Sequence, residues 1–94
     1  MSARTFDIVI VVATAGWVFV GELYPDEQID GLLTLRRASV IRKWGTSKGL
    51  GELALHGPLT NTVLDPIGSI WIERPHHVLF RVPCNMTAWE GRLP

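Results

Sequence analysis

The side chains most suited to chemistry in this sequence are five cations that follow one another with no acidic residue between them. These cations are Arg36, Arg37, Arg42, Lys43 and Lys48. Guanidinium and ammonium groups bind phosphates and carboxylates, so the cluster could contact a nucleic-acid backbone, a nucleotide or an acidic protein surface. Charges on an edge strand can instead serve to keep that strand from pairing with another chain. Both interpretations remain open from the sequence.

A glycine-rich loop at residues 44–51 continues this basic cluster. Closely spaced glycines let backbone N–H groups point at an anion, but the spacing is neither that of a P-loop nor that of a dinucleotide-binding turn. The loop could equally be an irregular connection into a short helix. In a recognition loop, Trp44 and Leu50 would be apolar anchors and the cations would steer the partner. We therefore predict a binding site formed by Arg36, Arg37, Arg42, Lys43, Trp44, Lys48 and Leu50.

Catalytic and metal-binding patterns are not evident. His76 and His77 are adjacent, and no cysteine or carboxylate lies near enough in sequence to suggest a metal site with them. Asp65 precedes Pro66, which favours a turn. The single Cys84 has no identifiable base beside it. We therefore predict a protein that is not an enzyme and that has no cofactor and no metal.

The composition indicates one small folded domain. The 94 residues are 47% hydrophobic and have a formal net charge of +0, which argues against disorder and against nucleic-acid binding through bulk charge. An acidic group precedes the cations, so the chain is neutral but polarised. A single cysteine fits a reducing cytoplasm, and the apolar run at residues 8–15 is shorter than the roughly 20 residues that span a bilayer. We expect a cytoplasmic domain over residues 1–94.

Apolar alternation and glycine or proline turns predict the elements that position the basic cluster. A short helix is expected within residues 51–56, in a long loop at 44–61, and a tail follows from residue 84. Gly21 inside a strand, and Arg36 with Arg37 in the middle of another, indicate bulges. The fold class is therefore all-β, a small barrel of about five antiparallel strands. The predicted extended segments are residues 5–13, 17–23, 32–44, 62–64, 69–73 and 78–82.

Four tryptophans are many for so short a chain. Trp17 shares a face with Phe19 and is expected in the core. Trp71 alternates with two isoleucines, so it should face outward if they face inward. Surplus aromatic residues suit protein interfaces or base stacking. Together with the small size of the domain, they predict a homo-oligomer, and a dimer in the first place.

Two resemblances to known families bear on the predicted fold and function. The segments VGEL at 20–23 and LTL at 33–35, and the two closing strands joined by a short turn that contains proline, resemble the core of SH3-like and Sm-like small barrels. The second Sm motif, which contacts RNA, is lacking, so this resemblance implies a fold and not RNA binding. Over residues 44–80, the segments WGTSKGLGELA, VLDPIGSIWI and VLF resemble a family of small uncharacterised proteins encoded by phages and prophages.

These observations lead to three functional hypotheses. The first is a phage-encoded, non-catalytic binding protein that acts stoichiometrically on a host protein or nucleoprotein complex, for example as an inhibitor of an antiviral defence system. It would block a protein complex or sequester a nucleotide signal near Lys48. The second is a nucleic-acid-binding small barrel, which should release its ligand steeply with added salt. The third is a virion structural or assembly component.

Overall fold

The structure is a computed structural model that describes residues 6–29, 31–73 and 77–94. Five strands and two short helices account for most of these residues. The strands are β1 (Asp7–Ala13), β2 (Val18–Leu23), β3 (Leu32–Lys43), β4 (Val63–Glu73) and β5 (Val78–Pro83). The helices are α1 (Leu50–His56), which lies in the connection between β3 and β4, and α2 (Met86–Trp89), which lies in the tail. The predicted all-β fold, with a short helix in one long loop, is confirmed.

The strands form one antiparallel sheet in the order β4-β3-β2-β1-β5. Residues 14–16 join β1 to β2 in a tight turn, where Gly16 adopts a positive φ of 80°. The strands at the two edges, β4 and β5, are consecutive in the chain although three strands separate them in the sheet.

The sheet curls into a barrel, because the two edge strands are joined by only the four residues between Glu73 and Val78. In a flat sheet, four strand spacings would separate these edges by at least about 19 Å, whereas five Cα–Cα steps reach about 17 Å. The backbone N–H of Thr14 also donates to the carbonyl of His77 at 3.0 Å. The end of β1 and the start of β5 are thereby fixed at the place where β4 ends.

Each face of the sheet has its own apolar cluster. The barrel core contains side chains from both edge strands, with Ile72 from β4 and Val78 from β5, so this face is the inside of the curl. Its buried members are Val9, Val11, Ala13, Phe19, Leu23, Leu33, Leu35, Ala38 and Ile72. The helix-covered core lies on the other face, beneath α1 and α2. Its buried members are Ile8, Ile10, Val18, Val20, Ile41, Leu53, Ala54, Cys84, Trp89 and Leu93.

The two predicted bulges are one feature. The β2–β3 register shifts between Val20 and Glu22, so that Gly21 alone faces Arg37 and Ala38 of β3. Arg37 has a φ of 47°, the left-handed conformation that an extra strand residue adopts. A Cβ atom on Gly21 would lie 3.1 Å from the Cα of Ala38, which is tighter than most such contacts, so a larger residue would require the two strands to shift apart slightly.

One predicted boundary is wrong. The sequence indicated two strands broken at Asp65 and Pro66, but β4 continues through both residues, with register shifts against β3 at Pro66 and Gly68. Proline has no N–H group to donate. An edge strand tolerates it because a backbone N–H on the outer side of that strand would have no partner in the sheet. The predicted connection at residues 74–76, which includes His76, lies outside the described residues, as does the expected start of β1 at Thr5.

The C-terminal tail packs back onto the domain. Trp89 is 0% exposed, and its indole N–H donates to the carbonyls of Leu53 and Ala54 at 3.0 and 3.2 Å. The Asn85 side chain caps α2 by accepting from the N–H of Thr87. In the part of the chain that the structure describes, neither helix is long and apolar enough to cross a membrane.

Candidate functional site: a basic loop and an aromatic groove

The first two residues of the predicted binding site take part in contacts within the barrel. Arg36 forms an ion pair with Glu27 at 2.7 Å, and its guanidinium lies 5.0 Å from the centre of the Tyr24 ring. Arg37, in the β3 bulge, donates to the carbonyl of Leu93 at 2.9 Å. Both guanidinium groups therefore have partners within the domain, and Arg37 connects the tail to the sheet.

The third predicted residue, Arg42, is also paired. Its Nε and Nη2 atoms donate to the two carboxylate oxygens of Asp65 at 2.8 and 3.2 Å, the two-point geometry in which arginine binds carboxylates best. The hydrogen bond to Asp65, together with its charge, raises the pKa of Arg42. This pair joins β3 to β4 at the end of the sheet far from Arg36. The predicted cluster is thus divided along β3 and largely neutralised by carboxylates.

The remaining predicted residues form the basic loop, defined here as Lys43, Trp44, Lys48 and Leu50. The side chains of Lys43 and Lys48 are exposed, and none of the ion pairs found among the described residues involves them. Trp44 is 41% exposed. The loop is held in place because the Thr62 hydroxyl donates to the Trp44 carbonyl at 2.6 Å.

The helix expected within residues 51–56 is present as α1 and begins one residue earlier, at Leu50. The Leu50 side chain packs against the helix-covered core, so it is not a free anchor of the loop. The N–H of Lys48 donates to a Glu52 carboxylate oxygen at 2.8 Å across the start of this helix. Trp44, Lys43 and Lys48 are therefore the residues of the predicted site that are exposed and that take part in none of the ion pairs found among the described residues.

Trp17 is not in the core, contrary to the sequence prediction, and is 55% exposed. It does share a face with Phe19, and the two rings stack with centroids 6.2 Å apart and planes 9° apart. However, β2 begins only at Val18. Trp17 therefore lies beyond the strand end, at the open mouth of the barrel, where no further layer of side chains covers it.

Trp71 faces outward, as predicted, and is 73% exposed, while its neighbour Ile72 is buried. Together Trp17 and Trp71 border an apolar groove of about 350 Å³ between β4 and the turn that follows β1. We call this feature the aromatic groove. Its lining residues are Ala13, Thr14, Trp17, Phe19, Ile70, Trp71, Ile72, Glu73 and His77.

One end of the aromatic groove carries a polar contact. The Nδ1 atom of His77 lies 3.5 Å from the Thr14 hydroxyl, and its Nε2 atom lies 3.7 Å from a Glu73 carboxylate oxygen. A histidine that accepts a proton from a hydroxyl normally lies about 2.6–3.2 Å from it, and the Thr14–His77 distance is longer. We therefore interpret these contacts as structural. They connect the ends of β1, β4 and β5 and make this end of the groove polar.

Other chemistry is less well supported in the described part of the chain. No group of three or more histidine, cysteine or carboxylate side chains there could hold a metal ion. Cys84 is buried, and burial raises the pKa of its thiol to about 12, so it is a poor nucleophile near neutral pH.

The sequence reasoning missed Trp17 and the groove as binding candidates. The sequence feature that indicates the exposure of Trp17 is its position directly after Gly16. A residue next to a turn lies at the rim of a barrel and not in its core. Comparisons of the chain with protein-family models, with curated proteins and with solved structures found no match.

Proposed function

We propose that this chain is a phage-encoded, non-catalytic binding protein that acts stoichiometrically on a host protein, as an inhibitor of an antiviral defence system would. The observation that carries the binding role is the aromatic groove, with Trp17 and Trp71 exposed on either side of it. Tryptophan is the side chain most enriched among the energetically dominant contacts of protein interfaces. The phage origin rests on the sequence resemblance of residues 44–80.

A protein partner is favoured over nucleic acid by the electrostatics of β3. Arg36 and Arg42 lie within 2.7–2.8 Å of carboxylate oxygens, and Arg37 donates to a backbone carbonyl. A phosphate backbone would have to displace these partners, and the side chains of Glu27 and Asp65 would then repel it. An apolar groove beside exposed tryptophans instead offers the desolvated contact that protein partners use.

The groove and the basic loop could act on one partner. Trp17 also borders a hollow of about 510 Å³ that contains Arg42 and Asp65, so the rim of the groove continues toward the end of β3 where Lys43 and Trp44 follow. In this arrangement the groove supplies apolar contacts, and Lys43 and Lys48 attract acidic side chains and accelerate association.

The experiment is capture from a bacterial lysate on the immobilised chain, followed by mass spectrometry and calorimetry with the purified partner. Wild type should retain one host protein and saturate at a fixed molar ratio. The Trp17→Ala/Trp71→Ala double variant should lose it. A matched control is Leu55→Ala/Leu59→Ala, which removes two exposed apolar side chains elsewhere.

Three outcomes would contradict the proposal. A host protein that is turned over by substoichiometric amounts of the chain would indicate an enzyme. Retention of nucleic acid, lost steeply between low and moderate salt, would indicate the nucleic-acid alternative. Equal capture by the tryptophan double variant and wild type would exclude the aromatic groove as the contact.

A further inference from the structure

The free edge of β4 differs between its two halves. Among the described residues β4 pairs only with β3, so its outer edge is open. The first half, residues 63–69, contains Pro66 and Gly68 and three shifts of register against β3, features that disrupt an edge and prevent further strand pairing. The second half, residues 70–73, pairs with residues 32–35 of β3 in unbroken register and contains no proline. This half is therefore able to accept another strand.

Hollows lie on both faces of this second half. The aromatic groove is on the side of Ile70 and Ile72, which face the barrel core. A second hollow of about 450 Å³ is on the opposite side, bordered by Ser69 and Trp71 and by the exposed Ile29. Successive side chains of an added strand point to alternate faces. Such a strand would place one set of side chains in each hollow.

The charges beside the edge indicate what the added strand carries. Glu73 ends β4 and borders the aromatic groove, and its side chain is 77% exposed. Its only ion pair in the described residues is the 3.7 Å contact with His77. In the outer hollow, Glu27 and Arg36 neutralise each other at 2.7 Å. Among the described residues that border the two hollows, Glu73 is thus the charged side chain without a close ion-pair partner, and a basic side chain on the occupant complements it.

We propose that residues 70–73 of β4 bind an extended segment of the partner protein as an additional strand, with apolar side chains at alternate positions and a lysine or arginine opposite Glu73. This inference rests on the proposed function and specifies the kind of partner segment. Main-chain hydrogen bonds to the β4 edge supply affinity in this mode of recognition, and the two hollows select the side chains.

The test does not require the host partner. A library of random twelve-residue peptides displayed on phage is selected against the full-length chain, and enriched peptides are synthesised. We expect alternating β-branched or aromatic residues with a lysine or arginine. N-methylation of one alternate set of peptide amides should weaken binding at least about tenfold, because those N–H groups face β4, and methylation of the other set should have little effect.

Variants of the chain locate the peptide. Trp71→Ala should weaken binding roughly thirtyfold or more, whereas Ile67→Ala, at an exposed apolar residue in the disrupted half of β4, should change it less than about twofold. Glu73→Lys should weaken binding of the lysine-containing peptide. Replacement of that lysine by glutamate in the peptide should restore binding to this variant.

The results separate this inference from the proposed function. Selection of proline-rich or irregular peptides, insensitivity to N-methylation, or the absence of any enriched peptide would each overturn strand addition. A host protein that is captured normally and is released by Trp44→Ala/Lys48→Glu and by Trp17→Ala, but not by Trp71→Ala, would also overturn it, while the proposed function stands. Peptides that bind the edge as described, with no host protein captured, would contradict only the proposed function.

Discussion

Gly21 shows at the scale of one residue how this sequence specifies the barrel. It allows β2 to lie against the β3 bulge, which in turn places the Arg37 side chain where it can donate to the tail carbonyl of Leu93. The bulge thus connects the pairing of β2 with β3 to the packing of the C-terminal tail on the sheet. A side chain at this position would separate the strands where the sheet curls.

Substitution Gly21→Val is expected to lower the free energy of unfolding by about 1–3 kcal/mol, because the new side chain would press on the backbone of Ala38 and Arg36. The control is Gly51→Ala in α1, where a Cβ meets no atom within 4 Å. There alanine favours the helix, and stability should rise by about 0.5–1 kcal/mol. Urea denaturation measures the free energy of unfolding of both variants. Equal decreases in the two would contradict the packing argument.

Cys84 gives a pH dependence with a definite sign. Burial raises the pKa of its thiol from 9.0 to about 12. The unfolded chain therefore ionises this thiol first, and the free energy of unfolding should fall as the pH rises from about 9 toward 12. Replacement Cys84→Ala should flatten that part of the profile. If the free energy of unfolding of the Cys84→Ala variant falls with the same slope, the decline is caused by other titratable groups.

The rate at which the Cys84 thiol is alkylated tests its burial independently of the pH profile. At pH 8, alkylation by iodoacetamide should be at least about tenfold slower in the folded chain than in urea, because the thiolate is the reactive form and is scarce at this site. Equal rates in the two states would show that Cys84 is accessible and ionised in the folded chain.

At the scale of elements, the tail is a structural part of the domain. Trp89 fills the helix-covered core and bonds to α1, while Trp71 on β4 is exposed. Trp89→Ala should therefore lower the free energy of unfolding by about 3–5 kcal/mol, and Trp71→Ala by no more than about 0.5 kcal/mol. Thermal and urea unfolding of the two variants give the comparison, and a large loss for Trp71→Ala would mean that this ring is part of the core.

The strands could be predicted from the sequence because alternation and turns are local properties. The bulge at Arg36 and Arg37 was found because two charges interrupt a run of apolar residues. The continuity of β4 through Pro66 could not be predicted, because proline is acceptable only on an edge and the strand order is not a local property. The exposure of Trp17 was missed for the same reason, since alternation gives the face of a residue and not its height in the barrel.

The basic cluster illustrates a similar limit for the site. Five cations near one another in sequence indicate a charged patch, yet the partners of three of them come from distant segments, including Asp65 and Leu93. Only the fold shows that these cations are engaged and that Lys43 and Lys48 are left exposed. The predicted loop residues remain a hypothesis, to be tested by the Trp44→Ala/Lys48→Glu variant described above.

At the scale of the whole molecule, the predicted homo-oligomer remains a proposal. Leu79 and Phe80 on the edge strand β5 are exposed, in addition to the residues of the aromatic groove. Burial of such surface between copies would stabilise a domain of this size. Light scattering at micromolar concentrations should show a dimer, and Phe80→Lys should shift it toward the monomer. A monomer at all concentrations would contradict the prediction.

The central claim is that the exposed tryptophans are binding contacts and not incidental surface. Titration calorimetry of the captured host protein with wild type, Trp71→Ala and Ile67→Ala tests it most directly. We predict saturation at a fixed ratio, an affinity roughly thirtyfold to a thousandfold weaker for Trp71→Ala, and an unchanged affinity for Ile67→Ala. Equal affinities of wild type and Trp71→Ala, with both chains folded, would contradict the claim.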